Sequence, residues 1–129
     1  MDFFADLSII LAAISVVITI VFHYRDRYIS RKVNTYNALN ELYDAYYSMH
    51  GSVNSRTYRE KVQFLSKVNR FSTAAIEGMY DMKIIKKQAG SFLKRLYKEL
   101  MSDLIRQRRS QFHRDTYYSS IEKLLSRLE

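Results

Sequence analysis

An all-α chain is predicted, on three observations. Proline is absent from the 129 residues and glycine occurs only at Gly51, Gly78 and Gly90, so tight hairpins have almost no material. Apolar residues recur at spacings of three and four along most of the chain, and strand-like alternation is scarce. Residues 7–22 (LSIILAAISVVITIVF) carry no charge, no glycine and no proline. A run of that kind is compatible with lipid only as a helix, because lipid offers backbone groups no hydrogen-bond partner.

The first element follows from that run. From Phe3 to Phe22 there are twenty residues interrupted only by Asp6, and at about 1.5 Å per residue they reach roughly 30 Å, a bilayer's hydrocarbon thickness. Two other origins fit less well. A cleaved signal peptide has a basic start and a small-residue cleavage site, whereas this chain begins Met1-Asp2-Phe3-Phe4-Ala5-Asp6 and continues His23-Tyr24-Arg25-Asp26-Arg27. A core helix would carry polar residues on one face, but here apolar residues go all round. The sequence therefore predicts an uncleaved transmembrane anchor over residues 1–23 and a helical domain over 24–129. Lys and Arg are lacking before the span, while Arg25, Arg27, Arg31 and Lys32 follow it. Positive charge stays inside, so the expected topology is a single pass through the inner, cytoplasmic membrane with the N-terminus outside and the domain cytoplasmic. Tyr24 and Tyr28 fall at headgroup level, and Asp6 falls at the outer interface, where a carboxylate costs far less than at mid-bilayer.

About 105 residues remain, near the lower end of what packs a core alone. No breaker occurs between Phe3 and His50, so the anchor is expected to continue as one helix to about Tyr47. Gly51 to Ser55 reads as the first loop. A second helix is expected from Arg56 to Met79, with Tyr58, Val62, Leu65, Val68, Phe71, Ala75, Ile76 and Met79 on its apolar side. Asp81 is a plausible cap for a short helix through Ala89, and Gly90-Ser91 marks an expected break. Phe92, Leu93, Leu96, Tyr97, Leu100, Met101, Leu104 and Ile105 give the cleanest helical repeat. A basic loop over Arg106 to Arg114 and a last helix capped by Asp115 or Thr116, with Tyr117, Ile121, Leu124, Leu125 and Leu128 on one face, complete a small antiparallel bundle. Most of the eleven tyrosines fall beside these apolar faces. The pairs Tyr46-Tyr47 and Tyr117-Tyr118 read as core or rim packing, with a partner-binding surface as the alternative.

One stripe in the anchor goes beyond hydrophobicity. Ser8, Ala12, Ser15 and Thr19 are spaced four, three, four, and small residues so placed let helix backbones approach in lipid. The spacing continues through Phe22, Asp26, Ile29, Val33, Tyr36, Asn40, Tyr43 and Tyr47. This is a heptad-like seam in which Asp26 and Asn40 could fix register. It predicts a homo-oligomer along the first helix.

Between Lys83 and Arg114 stand ten Lys or Arg against two acids, Glu99 and Asp103. The cluster Arg106-Gln107-Arg108-Arg109 is densest. A solvated surface is the plain reading. Contact with anionic inner-leaflet lipid comes next, through Arg25, Arg27, Arg31, Lys32, Arg106, Arg108 and Arg109, each worth about 1 kcal/mol near such a surface. Nucleic acid ranks below lipid, because no recognised module or interleaved aromatics accompany the charge.

Chemistry-bearing motifs are missing from the sequence. His23, His50 and His113 have no ligand spacing, there is no cysteine, and no Gly-rich phosphate loop, H-E-x-x-H or G-x-S-x-G occurs. Glu77 and Asp81 are four apart, but Asp81 reads better as a cap. No enzyme activity, metal or cofactor is expected.

Val68-Asn69-Arg70-Phe71 with Ala75, Tyr80-Asp81, Phe92-Leu93-Lys94-Arg95-Leu96-Tyr97-Lys98, then Arg108 or Arg109, Tyr117 and Glu122, carry a resemblance. Over about half its length the chain resembles a bacterial family of single-span membrane proteins catalogued as a domain of unknown function. The resemblance implies a bacterial or phage-related source and a membrane-tethered helical domain, and implies no activity. Ser72 stands where that family tends to carry a glutamate. The sequence thus points to a membrane-anchored interaction or regulatory module that binds an unknown protein, itself, or both. The alternative is a small membrane effector, of toxin or phage-defence type, that oligomerises and perturbs the bilayer.

Overall fold

A computed structural model describes residues 2–50 and 57–129. The expected loop over Gly51 to Ser55 and the expected helix start at Arg56 lie outside the described residues. The chain is all-α: α1 (Asp2–His50), α2 (Tyr58–Ile76), α3 (Met82–Leu96), a π-helical turn (Tyr97–Met101), α4 (Ser102–Phe112) and α5 (Ser119–Arg127). It divides into two compact units, Met1–Arg31 and Lys32–Glu129.

In the first unit every residue from Asp2 to Arg31 is helical and exposed. Large apolar side chains make up most of that surface, including Ile9, Leu11, Ile14, Val17 and Val21. Among the described residues, one helix is long and apolar enough to cross a membrane.

The second unit is a bundle around Leu39 and Leu42 of α1, Phe64, Leu65, Val68 and Phe71 of α2, Ile85 and Leu93 of α3, Ile105 of α4, and Ile121 and Leu124 of α5. Helix directions can be read from the contacts. Tyr46 packs on Phe64, whereas Ala38 and Leu42 share a groove with Phe71 and Tyr80, so α1 and α2 run oppositely. Thr35 reaches Asp81 and Tyr43 reaches Gln88, so α1 and α3 run together. Thr73 meets Ser120 and Arg127 meets Ile76, so α5 runs with α2. The result is an up-down-up-down antiparallel bundle.

Local chemistry sets the ends. Thr57 caps α2, its hydroxyl accepting from Glu60 N–H at 3.2 Å. At the other end Gly78 takes φ +88. The Met79 N–H donates to Ala74 O at 3.0 Å and the Gly78 N–H to Ala75 O at 3.1 Å, the paired closure that a left-handed residue after a helix permits. This stops α2 at Ile76, three residues short of the expected Met79. Asp81 caps α3 as expected, accepting from Lys83 N–H at 2.9 Å and Ile84 N–H at 3.4 Å. Its own N–H donates to Thr35 Oγ1 at 2.8 Å.

Three expectations are corrected. Gly90 is no break: it is helical and buried inside α3. An interior glycine costs a helix about 1 kcal/mol, less than the apolar face formed by Ile85, Ala89, Leu93 and Leu96 recovers by burial. The predicted short helix and its successor are therefore one rod. Within that rod the fully buried residues step from Leu96 to Met101, five positions, with Tyr97 and Leu100 half-buried between them. The π turn absorbs the extra residue, with Ser102 N–H donating to Tyr97 O, and returns Met101 to the core. The basic segment is likewise no loop as far as Phe112, which ends α4. The last helix begins at Ser119 with Tyr118 as its N-cap residue, not Asp115 or Thr116.

Leu65 is fully buried, so Leu65→Ala is expected to lower stability by about 2–5 kcal/mol. Asp81→Ala removes a cap on the surface of the bundle and should cost about 1 kcal/mol. Denaturant melts of the full chain in mild detergent, followed by circular dichroism, measure both, and equal losses would contradict this division between core and cap.

Candidate functional site

In the apolar segment, the small-residue stripe of Ser8, Ala12, Ser15 and Thr19 is exposed. Two of its hydroxyls turn back on their own helix. Ser15 Oγ donates to Leu11 O at 2.9 Å and Thr19 Oγ1 to Ser15 O at 2.8 Å. Back-bonding of this kind satisfies the hydroxyl locally and leaves a smooth, low-profile face.

The continuation of the seam divides. Ile29, Val33 and Tyr36 are 47%, 51% and 47% exposed. Tyr43 departs from the expectation. Its hydroxyl donates to Gln88 O at 2.8 Å, and its ring lies 4.6 Å from that of Phe92, so it is committed to its own bundle. The core-facing side of the same stretch is instead Thr35, Leu39, Leu42 and Met49. Tyr46 packs against Phe64 and Phe92, whereas Tyr47 is exposed.

The basic residues divide in the same way. Arg25, Arg27 and Arg31 are exposed and Lys32 is half-buried. Arg106 pairs with Asp103 at 2.5 Å, both largely in solvent. Arg108 and Arg109, expected as free cations, are built into the fold. The Arg109 guanidinium binds Glu122, with side chains 25% and 41% exposed, and its Nε donates to Tyr117 O at 2.8 Å. The two residues are thirteen apart, a separation that no helical pairing rule anticipates. Arg108 Nε donates to Tyr118 Oη at 3.3 Å, and the guanidinium lies 4.6 Å above the Phe112 ring. The hydrogen bond to Tyr118 chiefly, with a smaller contribution from Tyr58, holds Arg108 protonated more firmly than an ordinary arginine.

These contacts build a groove of about 450 Å³ between α2, α4 and the turn before α5. Ser66, Asn69 and Arg70 line it from α2, Arg108 from α4, and Arg114, Thr116, Tyr117 and Tyr118 from the turn. The turn is shaped by two left-handed residues, His113 at φ 52 and Tyr118 at φ 64. Such positions cost a non-glycine residue about 1–3 kcal/mol and persist only where surrounding structure over-determines them. Here Tyr118 is buried and stacked edge-on against Tyr117 at 4.5 Å. Asn69 Oδ1 is buried with no hydrogen-bond partner among the described residues. A second groove, of about 660 Å³, lies between α1 and α2 and carries mixed charge: Glu41 and Asp44 face Lys67 and Arg70.

No family model, curated protein or solved structure matches the chain.

Double-mutant cycles separate the two kinds of arginine pair. The partly buried Arg109–Glu122 pair should show a coupling of about 1 kcal/mol, and the solvated Arg106–Asp103 pair about 0.3 kcal/mol or less. A reversed order would remove Arg109 from the bundle's framework.

Proposed function

We propose that the chain is a single-span membrane protein whose helical bundle is an interaction or regulatory module, acting by binding rather than by catalysis. The observation that carries this reading is the fully exposed apolar surface of residues 2–22, beside a bundle that closes a core of its own. An aqueous protein does not leave so large a contiguous apolar surface bare, and lipid is the medium that removes the penalty.

The proposed orientation puts the bundle in the cytoplasm, with Arg25, Arg27, Arg31 and Lys32 at the inner headgroups. At an anionic inner leaflet each of these cations adds attraction of about 1 kcal/mol, and Arg106 is left out because Asp103 already pairs with it. Arg109 is left out of this contact because Glu122 occupies its guanidinium, and Arg108, its Nε on Tyr118 Oη, lines the groove between α2, α4 and the turn rather than the outer surface. Self-association is assigned to the Ser8, Ala12, Ser15 and Thr19 stripe, together with exposed Ile29, Val33 and Tyr36. The back-bonded hydroxyls of Ser15 and Thr19 favour close helix contact over a water-filled pore, which ranks the bilayer-perturbing alternative below the module. The family resemblance, to bacterial single-span proteins, is kept as part of this reading.

Because the chain has no cysteine, single cysteines report topology cleanly. With Asp2→Cys, a membrane-impermeant maleimide should label intact host cells, and with Ser126→Cys it should label only after lysis. The reverse pattern would overturn the orientation. Ser15→Leu should reduce chemically crosslinked dimer in membranes severalfold, and an unchanged yield would remove the stripe as the contact.

A further inference from the structure

The groove that holds Arg70, Arg108 and Arg114 differs in charge from four other grooves of the bundle, each of which includes a carboxylate. Three guanidiniums line it, and among the described residues no carboxylate does. The nearby acids are placed elsewhere. Glu122 is taken by Arg109, Asp103 by Arg106, Asp115 lines a separate groove with Arg106, Arg109 and His113, and Glu41 and Asp44 share with Arg70 the neighbouring groove between α1 and α2. Arg108 is half-buried, and its acceptor is a neutral phenol, Tyr118 Oη. Among the described residues Arg108 forms no ion pair.

The groove is also pre-formed. Arg108 is fixed by Tyr118 and by the Phe112 ring. Arg114 is held beside the Tyr117 ring, its guanidinium carbon 6.0 Å from the centroid. The two left-handed residues at His113 and Tyr118 bring Arg114 and Thr116 round to face α2. Around the cations stand short neutral hydrogen-bonding groups, Ser66, Asn69 and Thr116, and the Asn69 side chain ends in a buried atom without a partner. That atom is an acceptor oxygen, so a donor such as ordered water completes it, and it takes no part in holding an anion.

We propose that Arg70, Arg108 and Arg114 form a binding site for a phosphate group, carried either by a small soluble phosphorylated compound or by a lipid headgroup. Guanidinium forks match the paired oxygens of a phosphate, and a phosphate monoester's charge and three terminal oxygens suit several such forks better than a carboxylate does. The volume suits a small ligand rather than a lone ion. The site lies wholly within the Lys32–Glu129 unit, so it stands or falls independently of membrane anchoring.

The test uses the full chain and two probes. Inorganic pyrophosphate is titrated by calorimetry into protein held in phosphatidylcholine nanodiscs, and phosphatidic acid retention is counted by native mass spectrometry of the detergent-solubilised protein. The expected result is one saturable site for at least one probe. Pyrophosphate binding identifies a soluble source, and retention of phosphatidic acid alone identifies a headgroup. Arg70→Gln and Arg114→Gln, both exposed residues whose loss leaves the core intact, should weaken binding at least tenfold. Arg106→Gln, which removes the same charge outside the groove, should change it less than twofold. Failure of both probes to saturate at millimolar concentration would overturn the proposal, as would an Arg106→Gln effect equal to that of Arg114→Gln.

Discussion

The hydrogen bond from the Asp81 N–H to Thr35 Oγ1 is the contact on which the bundle's arrangement depends. It joins α1 to the reversal between α2 and α3, where Gly78 ends one helix and Asp81 starts the next. Thr35 is fully buried, so its hydroxyl needs a partner, and the first turn of α3 supplies it. With that corner fixed, α3 lies beside α1 in a set register. Tyr43 then meets Gln88 and Phe92, and Tyr46 meets Phe64. A chain without proline has few other ways to stop a helix and turn it, so this corner carries much of the topology.

A second constraint acts along the rod from Met82 to Phe112. Its fully buried positions step from Leu96 to Met101, while Tyr97 and Leu100 between them are half-buried against the core. The π turn reconciles the two halves, and the rotation it introduces sets where α4 presents its side chains. Arg108 therefore falls over the groove beside α2, while Arg109 falls against Glu122 of α5. Two adjacent arginines thus have different environments, one facing phenols and other cations, the other facing a carboxylate.

The apolar segment and the bundle distribute their apolar residues differently. In the bundle, apolar residues are gathered at one face of each helix because water surrounds the other. From residue 2 to 22 the apolar residues go all round, and two of the three hydroxyls, those of Ser15 and Thr19, are returned to the helix backbone. That economy of polar groups suits a medium without hydrogen-bond partners.

The sequence by itself determined the helical class, the apolar segment, the Asp81 cap, the apolar face of α5 and the Leu65, Val68, Phe71 and Ala75 stripe of α2. Each depends on local spacing or on a run of one residue type, which a linear pattern records. In α2, however, it counted exposed Tyr58 and Met79 in that face and left out buried Phe64 and Ser72. It misplaced Gly90, because a glycine's helix penalty is local while the burial that outweighs it comes from other helices. It read Arg106 to Arg114 as a loop and its arginines as one cluster, because charge density carries no direction. Only the tertiary structure decided that Tyr43 packs inward, that Arg109 finds Glu122, and that Arg70, Arg108 and Arg114 face one groove. These outcomes depend on the corner at Thr35 and the π turn after Leu96, and both depend on which side chains must be buried together rather than on any neighbour in sequence.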